Sequence, residues 1–158
     1  RDFSPGRIRN AAFFTRIYGD CRAGGVSPRG VAWLGHQRLS VTTVNGVADR
    51  LERVAASLEG MPERFQAYLV PAAGTLSCRG VADTGLVSMH AFGAAIDIST
   101  RQSDYWQWAR ARGDGEIPYH NRIPFEIVEA FEAERFIWGG KWYHYDTMHF
   151  EYRPELFE

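Results

Sequence analysis

Apolar residues recur at helical spacing most clearly after Asn45, where Val47, Leu51, Val54 and Leu58 line one face of an amphipathic helix. Asn45 is placed to cap its start and Gly60 to end it, and the apolar stripe is expected to pack on one face of a sheet. A second helical pattern carries Ile127, Val128 and Phe131; Pro124 suits its first turn, and it runs to about Glu134. Strand signals are shorter. Residues 66–73 carry Tyr68, Leu69 and Val70 before Gly74 and read as a strand. Across residues 94–99, period-two alternation sends Ala94, Ile96 and Ile98 to one face and Ala95, Asp97 and Ser99 to the other, so Asp97 is expected to face a cleft. A last strand, from about residue 147 to 152, closes the pattern.

Between these elements the chain reads as loops. The first 40 residues mix turn signals (Ser4-Pro5-Gly6, Gly24-Gly25, Ser27-Pro28) with short apolar pieces near Ala11 and Val31, and read as a wrapping arm. Residues 101–122 read as an insertion, with Tyr105, Trp106 and Trp108 in a short helix at the edge of a groove and Gly113 and Gly115 in a loop. No internal repeat or low-complexity tract is present. The pattern predicts one compact domain spanning 1–158, with residues 1–40 as its arm and residues 75–152 as its chemically interesting half.

Composition narrows the function classes. With 158 residues, 45% hydrophobic and 14% aromatic, the chain can bury one sizeable core but hardly two. A formal charge of −1 and the lack of a basic run interleaved with aromatics argue against a nucleic-acid partner. No stretch approaches the roughly 20 apolar residues of a membrane helix, and no charged start followed by an apolar core marks a signal peptide, so membrane insertion is not expected. Cys21 and Cys78 are too few for a disulfide framework and form no C-x-x-C pair. One disulfide in an exported protein and two reduced thiols in a cytosolic one fit the sequence equally.

The chemistry lies in two clusters. Ser88, His90, Gly93 and Asp97 stand as S-M-H-A-F-G-A-A-I-D, and Asp146, His149 and Glu151 as D-T-M-H-F-E. One half offers a His and an Asp, the other a second His and a carboxylate, which is the ligand set plus base of a hydrolytic zinc centre. Gly93 permits the close backbone approach that would bring His90 and Asp97 to one ion. His149 and Glu151 share a strand face, so Glu151 can orient that histidine from behind. Asp146 can approach water at the ion as general base. His144, on the same segment, is a rival ligand that spacing does not exclude, whereas His36 and His120 lack such company and read as solvated or hydrogen-bonded side chains. Arg79 is the candidate cation for an oxyanion. Trp138 and Trp142, bracketing Gly139-Gly140-Lys141, read as core and cleft wall around a tight turn, and Ser88 as a cap or bond for the loop carrying His90.

Together these pieces resemble the zinc D-alanyl-D-alanine carboxypeptidases and the related L-alanyl-D-glutamate endopeptidases of bacteria and phage endolysins. The resemblance rests on Cys78-Arg79, S-M-H-A-F-G-A-A-I-D-I from Ser88, N-R-I-P from Asn121 and F-I-W-G-G-K-W-Y-H-Y-D-T-M-H-F-E from Phe136. It implies a small single α+β domain with a central antiparallel sheet flanked by helices, and Zn2+ held on that sheet by His90, Asp97 and His149, with Asp146 as catalytic acid/base and Arg79 polarising the scissile carbonyl. His144 matches no ligand position. Some members have Glu where Asp146 stands, and Arg135 stands where a glycine is common. The implied substrate is the peptidoglycan stem peptide, cut at D-Ala-D-Ala or L-Ala-D-Glu, and the implied location is the cell envelope or exterior, with the cytoplasm as alternative. A reading from another class is a noncatalytic, zinc-stabilised cell-wall-binding or interaction module; such a module could lose Asp146 or Arg79 without penalty, and both are present.

Overall fold

Helix α2 (Val47–Glu59) buries Val47, Ala48, Leu51, Val54, Ala55 and Leu58, the face that the apolar spacing predicts. In this computed structural model residues 3–4, 9–80, 87–109 and 116–157 are described; Gly113 and Gly115, expected in a loop, and Pro5-Gly6 of the first turn signal lie outside them. The start of α2 differs from expectation. Asn45 is not its cap: it adopts a left-handed φ of 53° and its amide donates to Tyr18 Oη at 3.3 Å, while Gly46, also left-handed, takes the cap position. Asn tolerates that conformation well enough to turn the chain one residue earlier.

The first 40 residues carry secondary structure of their own. Helix α1 (Ala11–Tyr18) starts where Asn10 Oδ1 accepts from Phe13 N at 3.1 Å. Strands β1 (Pro28–Trp33) and β2 (Gln37–Thr42) form an antiparallel hairpin with Trp33 opposite Gln37, and α2 packs against it. Residues 66–73 form no strand. They hold the single helical turn α3 (Gln66–Leu69), continuing a 3-10 turn that opens after Pro62, and the chain becomes extended at Val70 because Pro71 disfavours a helical residue before it.

The central sheet has the order β3-β5-β4, all antiparallel, from β3 (Ala95–Asp97), β4 (Phe136–Trp138) and β5 (His149–Tyr152). Among the described residues the fold is therefore α+β, with four helices and two small antiparallel sheets. Strand β4 was not foreseen, because three residues are too few to show a period. Register sets Asp97 opposite His149 and Ile96 opposite Phe150. Helix α4 (Phe125–Ala133) starts after Pro124, which is its cap rather than its first turn, and covers the sheet with Ile127, Val128 and Phe131; the Phe131 and Phe150 rings stack at 3.9 Å. After α4 the chain reverses at Arg135, whose φ of 68° is the conformation a glycine adopts more easily, at a cost of about 1–2 kcal/mol. Its N–H donates to Glu132 O (3.0 Å), its carbonyl accepts from Arg153 N (3.0 Å) and its guanidinium from Nη1 reaches Phe157 O (3.1 Å), which together hold it there. Cys21 and Cys78 are joined in a disulfide.

Candidate metal centre

His90 lies on a 3-10 turn, Met89–Phe92, that is closed at both ends by residues of the first motif. Ser88 Oγ accepts from His90 N at 3.3 Å, and Gly93 ends the turn with φ 66°. A Cβ on Gly93 would stand 2.9 Å from Thr42 N, the group that donates to the Gly93 carbonyl, so only glycine lets this turn dock on β2. The docked turn points the buried His90 ring at Asp97, half-buried at the end of β3, and at His149 on the neighbouring strand.

Three atoms converge. Asp97 Oδ1 lies 2.9 Å from His149 Nδ1 and 3.1 Å from His90 Nε2, and the two nitrogens are 3.2 Å apart. In a tetrahedral zinc site with bonds of about 2.0–2.1 Å, neighbouring ligand atoms stand roughly 3.3 Å from one another, so the cluster has the size of three corners of such a site. The outer nitrogens fix what the inner ones present. His90 Nδ1 lies 2.5 Å from the Thr75 carbonyl, which can only accept, and His149 Nε2 lies 3.0 Å from Glu151 Oε2. With a hydrogen on each outer nitrogen, both inner nitrogens aim lone pairs at the Asp97 carboxylate, and three acceptors this close require a cation or a proton between them. His90, Asp97 and His149 could hold a metal ion, and their donor set fits zinc.

Without a metal, a proton takes that role. Burial pushes the His149 pKa down, but its hydrogen bonds to Asp97 and Glu151 outweigh burial and raise it to about 10. For Asp97, burial acts upward, and the hydrogen bonds with His149 and His90 overcome it and hold the carboxyl well below its usual range. Glu151 behaves alike: burial raises it, while the hydrogen bond with His149 and the charges of Arg9 and Arg153 bring it to about 2.

The remaining candidates surround this core. Glu151 is fully buried behind His149, and its Oε1 accepts from Arg153 Nη1 at 2.9 Å. Arg79 Nη2 is 3.3 Å from Asp97 Oδ2; the guanidinium is half-exposed and lines a cleft of about 270 Å³ with Cys21, Arg22, Cys78, Val87 and Phe92. Asp146 is half-buried on the turn before β5, where its N–H donates to Gly139 O (3.0 Å) and its carbonyl accepts from His149 N (3.2 Å). A Cβ on Gly139 would come within 2.6 Å of Asp146 O, which explains the first glycine of W-G-G-K-W. Trp138 Nε1 donates to Thr147 O (2.9 Å) and its ring packs on Phe150; the Trp142 ring, buried, lies 5.5 Å from that of His149. His144 stacks edge-on to Trp106 at 4.6 Å and is not part of the converging group. Sequence reasoning missed Thr75, Arg9 and Arg153. A carbonyl partner leaves no mark in residue type, but the i, i+2, i+4 spacing of His149, Glu151 and Arg153, the last one residue beyond β5, was a readable signal for Arg153.

Residues 82–152 match the family model described as D-alanyl-D-alanine carboxypeptidase. That stretch contains the three converging residues with Ser88, Asp146 and Glu151, and begins after Arg79. No curated protein matches the chain. The family match supports the resemblance drawn from the sequence and a peptidase of the D-alanyl-D-alanine carboxypeptidase kind.

Proposed function

Taking a peptidase of that family as premise, we propose that the chain is a zinc metallopeptidase that hydrolyses a peptide bond next to a D-amino acid in peptidoglycan stem peptides. The observation that carries this reading is the convergence of His90 Nε2, Asp97 Oδ1 and His149 Nδ1 within 3.2 Å, with the Asp146 carboxylate on a fixed turn three residues before His149. His90, Asp97 and His149 would hold the ion. Zn2+ held there would supply Lewis acidity, which acidifies water and polarises a carbonyl. The Asp146 carboxylate accepts the proton of the attacking water and returns it to the departing amine. Arg79 offers its remaining N–H groups to the carbonyl oxygen as charge develops there. Thr75 O and Glu151 hold the two imidazoles from behind, Ser88 fixes the turn under His90, and Trp138 and Trp142 wall the strand that bears His149.

The stem peptide is the substrate class because its alternating L and D centres match the family's chemistry. We place the protein in the cell envelope or exterior. The Cys21–Cys78 disulfide supports an oxidising compartment, and no helix among the described residues is long and apolar enough to cross a membrane. The deciding experiment incubates purified protein, with zinc and again with a chelator, with defined stem peptides and weighs the products. Chelator-sensitive loss of a terminal D-Ala identifies a carboxypeptidase, and release of an L-Ala end an endopeptidase. No zinc-dependent product from any peptide would overturn the peptidase reading in favour of a zinc-stabilised wall-binding module. Asp146→Ala is expected to reduce turnover about 10²–10⁴-fold with zinc still bound.

A further inference from the structure

The family match begins at residue 82, yet the N-terminal segment reaches the back of the metal centre. Arg9 Nη1 lies 3.2 Å from Glu151 Oε2, the oxygen that also accepts from His149 Nε2 at 3.0 Å, and 3.4 Å from Oε1. The Arg9 side chain is 3% exposed and that of Glu151 0%, so this is no surface ion pair. Arg153 holds Oε1 at 2.9 Å, but a single anchor leaves the soft terminal torsion of a glutamate free to swing its other oxygen. Arg9 supplies the second anchor, on the oxygen that steers the imidazole. The same segment then packs Phe14 and Tyr18 against Phe92, two residues from His90, at 6.0 and 6.1 Å, and ends in the disulfide beside Arg79.

We infer that Arg9 is a positioning residue of the metal centre, acting through Glu151 to hold His149 with Nδ1 toward Asp97, so that residues 9–21 belong to the site although they lie outside the matched stretch. The inference rests on the metal reading above. Partners behind a metal-bound histidine are worth about 10–100-fold in metal affinity, so Arg9→Met, which keeps the packed stem and removes the guanidinium, should weaken zinc binding by that factor. Arg9→Lys, which restores the charge and one donor, should recover part of it. In a Glu151→Gln background the Arg9→Met change should shift affinity by less than about threefold, because residues acting through one another are not additive.

Zinc affinity would be measured by competition with a chromogenic chelator on the full chain, with unfolding of the metal-free protein followed in parallel. Equal zinc affinity in wild type, Arg9→Met and Arg9→Lys overturns the inference, as does a full additive loss on top of Glu151→Gln. If Arg9→Met does not fold, Arg9→Lys and the double variant, in which the buried carboxylate is also neutral, decide it by the same criteria. Failure of the wild type itself to bind zinc would instead overturn the metal reading on which the inference stands.

Discussion

His149 sits between two carboxylates, Asp97 at one nitrogen and Glu151 at the other, and in the metal-free protein holds a proton with a pKa of about 10. A zinc ion held by these residues would have to displace that proton. Apparent zinc affinity should therefore rise about tenfold per pH unit from pH 7 toward 10, where raising the pH removes the competitor, and chelator competition at several pH values checks the slope. The same shifts set the stability of the metal-free chain. The His149 contribution is complete below its ordinary value of 6.5 and is lost as the pH rises through about 10; that of Glu151 is complete above 4.5 and is lost as the pH falls toward about 2. Urea midpoints should thus be highest between about pH 4.5 and 6.5 and fall on both sides. At this scale the sequence was readable where residue type implies chemistry. His90, Asp97 and His149 stand in motifs whose donors suit a metal, and the structure brings them together. Arg9 was unreadable because 142 positions separate it from Glu151, and nothing local distinguishes it from the chain's other arginines.

Among the elements, the turn between β4 and β5 is the most sensitive. Gly139 admits the Asp146 backbone at a distance no side chain allows, so Gly139→Ala should destabilise the protein by about 1–3 kcal/mol, or roughly 2–4 °C of Tm for each kcal/mol, which differential scanning calorimetry would detect. Turnover should fall further than zinc content, since Asp146 moves directly, whereas His90 and Asp97 stand on other elements and His149 is also held by its pairing in β5. Helix α2 was legible because 13 residues give its stripe room to repeat, and α4 because Pro124 marks its start. Residues 66–73 were misread because Tyr68, Leu69 and Val70 are apolar in either conformation; Pro62 and Pro71, which frame the turn, carried the stronger information. Arg135 shows tertiary contacts holding a side chain where backbone preference favours glycine.

At the level of the whole molecule, one core runs from Phe14 in α1 to Tyr152 in β5, and the disulfide closes a span of 57 residues across it. In the chain-entropy account a loop of that length contributes about 4 kcal/mol. Replacing both cysteines with serine should lower the unfolding free energy by up to that amount, as denaturant titration would show, while leaving zinc content unchanged because neither cysteine is a ligand. The sheet order has a further consequence for how the molecule is made. Strand β5 is the last of the described strands to leave the ribosome but the middle one in the sheet, and among the described strands it is the one with which β3 and β4 pair. A nascent chain that has displayed His90, Asp97 and β4 still has two strands waiting for a partner and lacks His149, the third member of the cluster. Assembly of the three-residue cluster is therefore a late event in biosynthesis, and an ion held there would enter only after residue 149 has emerged.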